Sequence, residues 1–194
     1  MPDISSLLVT VLSSAITATI VSKCIDIFNE GLKNKISAKY DALTTAVLLE
    51  GYAISCADNI CDHELAQESH DRAGKTIGSL PAFPNLNVSV RFVQKKKAAI
   101  ADKLLVLPQL IEQEKQEAAF LWDVSGDPDA VRTTSKFSHA KIGLECLSLA
   151  AELRKLYGLQ PRKMKIGEYD VFQILIKTRN EEIELENRLA AAGK

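Results

Sequence analysis

From Ile4 to Ser22 the chain runs for nineteen residues without a charge, ISSLLVTVLSSAITATIVS, bounded by Asp3 and Lys23. As a helix this stretch measures about 28 Å, close to the roughly 30 Å hydrocarbon core of a bilayer. Eight of the nineteen residues are Ser or Thr, which weakens insertion relative to a Leu-rich segment, so two readings stay open: a single membrane pass, or a long apolar helix of a soluble bundle. Only Met1, Pro2 and Asp3 precede the run, which lacks the basic start of a cleaved signal peptide. Cys24 follows Lys23 rather than a small residue, which argues against a lipoprotein signal. The segment therefore reads as an uncleaved anchor over residues 1–22. Lys23, Lys33, Lys35 and Lys39 all follow it, and the positive-inside rule then expects residues 23–194 on the cytoplasmic face of the inner membrane.

Within the run, Ser6, Thr10, Ser13 and Thr17 follow helical spacing, with Ser14, Ala18 and Ser22 in a second small-residue row beside them. Such rows let helices pack closely in a membrane, and they suggest self-association. The alternative is that the hydroxyls bond back to their own helix.

The rest of the chain is that of a folded protein. Hydrophobic residues are 46% and charged residues 25%, while 9 Gly and 6 Pro leave few turns and long elements. After a soft break around Gly31 and Asn34, apolar residues at 36, 40, 43, 47, 54, 57, 61 and 65 mark a long central helix over 36–70. A second row, Ala42, Ala46, Leu49, Ala53, Cys56 and Ile60, widens its buried face. Residues 73–88 form an ordered loop anchored by Leu80, Phe83 and Leu86. A helical stretch over 89–122 holds Pro108, which predicts a kink or two consecutive helices. Asp127 before Pro128 opens a helix ending at Gly158, with Phe137, Ala140, Leu144, Leu147 and Ala151 as its expected buried stripe. A last helix over 168–191 is apolar first and charged later, although Val171–Ile176 could also be extended. The fold class expected is all-α: an N-terminal transmembrane or long apolar helix, then an antiparallel bundle of about four long helices.

No residue set is convincing as a catalytic or metal centre. Cys56, His63 and His70 are seven apart and so lie two helical turns from one another, whereas helical ligands need a spacing of three or four. Gly74, Lys75 and Thr76 resemble the end of a phosphate-binding loop, but Ser69 stands where its first Gly belongs and no strand precedes it. The alternating oxygens from Asp123 to Asp129 lack the Gly and Glu of a calcium loop, and helix capping explains them. His139 and Cys146, again seven apart, are too distant for a dyad. No cofactor is expected.

Glu50 interrupts an apolar run at a core position and needs a partner; Arg91 or Arg154 would serve, or an edge open to water. Two basic clusters remain: Arg91, Lys95, Lys96, Lys97 and Lys103, and Arg154, Lys155, Arg162, Lys163 and Lys165. The second has no acid between Leu153 and Gly167, and beside an anchor it suits anionic lipid headgroups. Its alternatives are a solvated helix face, or neutralisation by Glu181, Glu182 and Glu184 of the last helix or by acids elsewhere in the fold. Nucleic acid is disfavoured, since the net charge is -1 and few aromatic residues interleave the bases.

The order of segments, with CADNICD, the LPAFP loop, FLWDVSGDPDAV and LAAELRKLYGL followed by Pro161, resembles a group of small bacterial proteins with one N-terminal membrane helix. The resemblance implies a bacterial origin and an anchor; the group has no assigned activity and lends no functional residues. The function expected is a non-enzymatic, membrane-anchored interaction or scaffold module that self-associates. The alternatives are a soluble bundle holding a small apolar ligand or cofactor in its core, and a membrane-disrupting effector.

Overall fold

A computed structural model describes the backbone of residues 4–86 and 98–192, and the side chains of Lys23 and of the residues from 26 onward in those ranges. Four helices, among the described residues, account for most of the chain: α1 (Ile4–Ser69), α2 (Ala98–Ser125), α3 (Pro128–Leu156) and α4 (Val171–Ala192). The fold is all-helical apart from a minimal hairpin before α4, β1 (Lys165–Ile166) paired with β2 (Tyr169–Asp170). The chain forms two compact units, Met1–Tyr40 and Asp41–Lys194.

In the first unit α1 is continuous from Ile4, so the expected break at Gly31 and Asn34 does not occur. A lone Gly costs a helix only about 1 kcal/mol relative to Ala, too little to end one with long helical flanks. Phe28, Leu32, Ile36 and Tyr40 are exposed at four-residue spacing. Among the described residues no helix is long and apolar enough to cross a membrane; the side chains of residues 4–22 lie outside them.

The second unit holds the core, and of the two apolar rows expected on the buried face of α1 the second is covered as expected while most of the first is not. The small-residue row is the buried one: Ala42, Ala46, Leu49, Ala53, Cys56 and Ile60 are wholly covered. The row of larger residues stays toward solvent, with Leu43, Val47 and Leu65 exposed and Ile54 and Cys61 half-buried; of that row Ala57 alone is fully buried within this unit. Small side chains bring neighbouring backbones close, which lets Leu104, Leu107 and Ile111 of α2, Ile142, Cys146, Leu149 and Leu153 of α3 and Leu175 of α4 fill one cluster.

Gly143 makes the closest approach: a Cβ there would lie 2.9 Å from both δ carbons of Leu175 and 3.3 Å from Cys56 Cβ. Lys136 adds a polar tie, contacting Glu64 of α1 at 2.9 Å and Glu181 of α4 at 3.0 Å.

Helix ends follow their local chemistry. Asp127 caps α3 by accepting the Asp129 N–H at 2.9 Å, with Pro128 at the first turn. Beyond Leu156, Gly158 takes a left-handed φ of 59° and the Leu159 N–H returns to the Arg154 carbonyl at 2.8 Å. α2 continues through Pro108 as one helix rather than two, with Pro108 exposed between buried Leu107 and Ile111. The loop after α1 is ordered over 73–86, where Tyr52 donates to the Pro81 carbonyl at 3.2 Å and packs edge-on against Phe83 at 5.0 Å. Val171–Ile176 is the start of α4, not a strand. Residues 89–97, expected to begin the second helical stretch, lie outside the described residues.

Candidate functional site

The buried stripe foreseen on α3 is also displaced. Ala140 is buried, but Phe137, Leu144 and Leu147 are half-buried and Ala151 is exposed, because the core takes the neighbouring row through Ile142, Cys146, Leu149 and Leu153. Three of the passed-over side chains share one concave surface. Leu144, Leu147 and Ala151 line one side of a groove of about 930 Å³. The connection after α3 supplies Leu159, Pro161 and Met164, and Phe172 of α4, itself 48% exposed, completes the apolar lining.

Five cations stand around this floor: Arg154, Lys155, Arg162, Lys163 and Lys165. They face the carboxylates of Glu50 and Asp170. The cluster foreseen from sequence is thus assembled on one groove, yet its members differ.

Arg154 is buried and is no surface contact. Its Nε donates to Glu50 Oε1 at 2.5 Å, its Nη2 to Glu50 Oε2 at 2.9 Å and its Nη1 to the Gln160 carbonyl at 2.9 Å. The Glu50 carboxylate raises the pKa of this guanidinium and holds it charged. Arg162 donates one Nη1 bond to Glu50 Oε2 at 3.2 Å, with its side chain 46% exposed. Lys155, Lys163 and Lys165 are exposed and make no ion pair among the described residues. Glu50 therefore has the partner its position demanded, and the acid that tempers the cluster is Glu50 itself. Glu181 and Glu182 serve Lys136 and Arg179 instead. Asp170 is committed as well, capping α4 by accepting the Gln173 N–H at 3.1 Å.

The apolar floor had no separate signal in the sequence beyond its size: Leu144, Leu147, Leu159 and Phe172 are large apolar residues beside a row that already suffices for the core. A second buried carboxylate, Glu114, went unmarked, although it continues the three-four spacing of Leu104, Leu107 and Ile111. It accepts from Ser138 Oγ at 2.9 Å and Lys141 Nζ at 2.5 Å.

His63, His139, Cys56 and Cys146 have structural places. His139 is fully buried, and its Nδ1 lies 2.7 Å from the Ser135 carbonyl, so Nδ1 carries the proton and Nε2 accepts from Asn59 at 3.2 Å. Burial lowers its pKa. His63 accepts the Ile77 N–H through Nδ1 at 3.4 Å, and burial depresses it too. Burial pushes the Cys56 thiol up to about 12 and raises Cys146 further, so neither is a thiolate nucleophile. Gly74 lies against α1, where a Cβ would be 2.3 Å from the Asp62 carbonyl oxygen. Its φ of +77° and this contact account for the glycine without a phosphate. No group of three or more metal-capable side chains occurs among the described residues. Ser6, Thr10, Ser13, Ser14, Thr17 and Ala18 lie on the α1 backbone, but their side chains are outside those described. Of the other basic cluster, Arg91 and Lys95 to Lys97 are likewise outside, while Lys103 pairs with Glu152 at 2.7 Å.

No family model matches this chain, and no curated protein or solved structure matches it either. The resemblance to small anchored bacterial proteins thus has no counterpart among these comparisons, and the groove's own geometry carries the functional reading.

Proposed function

We propose that this chain is a non-catalytic helical module that meets an anionic membrane surface with the basic rim of its groove. The apolar N-terminal segment holds it there, and the bulk of the chain faces the cytoplasm. The observation that carries this reading is the co-location of four accessible cations, Lys155, Arg162, Lys163 and Lys165, around an apolar floor. Each cation near an anionic surface contributes about 1 kcal/mol, so the four together suffice to orient a tethered domain. The charge-free run from Ile4 to Ser22 supports the tether.

The test uses a chain lacking residues 1–22, which keeps every described buried residue, the first being Ala38. It is sedimented with neutral vesicles and with vesicles containing acidic phospholipid. Binding is expected only with acidic lipid, falling with added salt. Replacing Lys155, Lys163 and Lys165 by Gln should weaken it by about a hundredfold, from about 1 kcal/mol at each position. Equal sedimentation of the two chains ends the proposal.

Self-association is a second reading, and a different feature supports it. The exposed row Phe28, Leu32, Ile36 and Tyr40 in the first unit is an apolar face at helical spacing. Ile36→Lys should lower the sedimentation coefficient of the full chain in detergent; an unchanged value removes this row from the argument.

A further inference from the structure

A headgroup-binding surface needs cations but no apolar floor, and this groove has both. Its volume of about 930 Å³ lies in the range that accommodates one small molecule. The lining side chains Leu144, Leu147, Leu159, Met164 and Phe172 offer no hydrogen bond to a polar guest. Charge complementarity then defines the other end of the occupant.

The two arginines are not equivalent. Arg154 is committed at Nε, Nη1 and Nη2. Arg162 spends one bond on a Glu50 oxygen that Arg154 already engages, and its side chain is nearly half exposed. Arg162 can turn to a new anion while Glu50 keeps both oxygens paired with Arg154. Glu50 and Arg154 thus form a fixed base, and Arg162 is the exchangeable cation above it. Lys163 and Lys165 flank it on the same rim.

We infer that the groove takes up a single-chain anionic amphiphile, its alkyl chain against Leu144, Leu147, Leu159, Met164 and Phe172 and its acidic head on Arg162. This rests on the reading of the rim as an anionic-lipid contact and narrows it to one molecule held in the groove. A fatty carboxylate and an alkyl phosphate share the chemistry, and separate arms of the experiment distinguish them.

Met164 supplies a local readout, since the chain has only 2 Met and the other is Met1. The full chain, labelled with ¹³C at the methionine methyls and placed in neutral lipid nanodiscs, is titrated with laurate, dodecyl phosphate, dodecanol and dodecyltrimethylammonium below their micelle concentrations. A saturable shift of the Met164 methyl, with Met1 unmoved, is expected for laurate, dodecyl phosphate or both, at affinities at least tenfold above those for the alcohol and the cation. Arg162→Gln should reduce the anion affinity at least tenfold without changing that for dodecanol. The Lys163→Gln, Lys165→Gln double variant, which touches no buried pair, should weaken it in the same direction. Equal shifts from all four amphiphiles would overturn the inference. So would an unmoved Met164 in a chain whose truncated form still sediments with acidic vesicles, which would leave the surface reading standing. Binding of the monomeric anion without vesicle binding would instead remove the surface reading and keep the groove as an anion-selective site.

Discussion

Glu50 and Arg154 stand 104 positions apart and meet as a two-pronged ion pair, Nε on Oε1 and Nη2 on Oε2, with both side chains withdrawn from solvent. The pair joins α1 to α3 beneath the groove. A carboxylate at that depth is stable only while its oxygens are paired, and the guanidinium fork matches their geometry.

The first prediction is a contrast between the two arginines. Arg154→Leu leaves the buried Glu50 carboxylate with only the single bond from half-exposed Arg162 and should destabilise the fold by about 3–5 kcal/mol. Arg162→Gln removes one half-exposed contact and should cost less than about 1 kcal/mol. Combining Arg154→Leu with Glu50→Leu should recover much of the first loss, because no unpaired charge then remains buried. Urea denaturation of the four proteins measures all three differences, and equal losses for the two single arginine variants would refute the assignment of roles.

The second concerns Gly143, which sits where α3 crosses Leu175 and Cys56. Alanine would gain about 1 kcal/mol of helix propensity, yet its Cβ falls 2.9 Å from both Leu175 δ carbons. Relieving both contacts requires a shift of a side chain that is wholly buried. Overpacking of this kind costs about 1–3 kcal/mol, so Gly143→Ala should lower stability. Leu175→Val should cost less in the Gly143→Ala background than alone; strict additivity in thermal unfolding would place the constraint elsewhere.

Much of the fold was legible because helix ends carry discrete signals. Asp127 with Pro128, and Gly158 after Tyr157, specify a start and a stop by hydrogen bonding and backbone conformation alone. Face assignment was harder. On α1 and on α3 two apolar rows lie side by side at helical spacing, and hydrophobicity favours the row with larger residues. Close packing favours the smaller one on α1, since Ala42, Ala46 and Ala53 let backbones approach. On α3 it is Gly143 beside Cys146 and Leu149 that marks the packed side. The larger residues left over become an exposed row in one case and the floor of the groove in the other. The basic cluster was visible as charge without acid, but its division into a fixed Arg154 and an exchangeable Arg162 depends on Glu50, more than a hundred residues away.

Thiol chemistry gives a third prediction. Cys56 and Cys146 are fully buried and their thiols are held protonated by desolvation, while Cys61 is only half-buried, with its pKa raised by burial and by the neighbouring carboxylates of Glu64, Asp58 and Asp62. In a Cys24→Ser background, one thiol should react slowly with iodoacetamide under native conditions, and Cys61→Ser should abolish that reaction. Two further thiols should appear only in denaturant. Rapid native labelling of Cys56 or Cys146 would mean that the core opens far more readily than its packing implies.

The last prediction follows from His139. Its Nδ1–H is fixed by the Ser135 carbonyl and its Nε2 accepts from Asn59, so the neutral ring satisfies both partners. Protonating Nε2 would place a second donor against the Asn59 amide inside a fully buried site. Burial accordingly lowers the folded-state pKa below the ordinary value near 6.5. Between those two pKa values the unfolded chain binds more protons than the folded one, which makes stability rise with pH. The neutral ring's contribution is complete above about pH 6.5 and is lost as pH falls through that window toward the folded pKa. His63 is depressed by burial and by the nearby charges of Lys136 and Arg132, and adds to the slope with the same sign. Urea unfolding from pH 7.5 down to 5.5 should therefore show declining stability. His139→Gln should be less stable at pH 7.5 but should lose less on acidification, and adding His63→Gln should flatten the profile further. An identical slope in wild type and double variant would show that these two rings do not set the acid sensitivity of the fold.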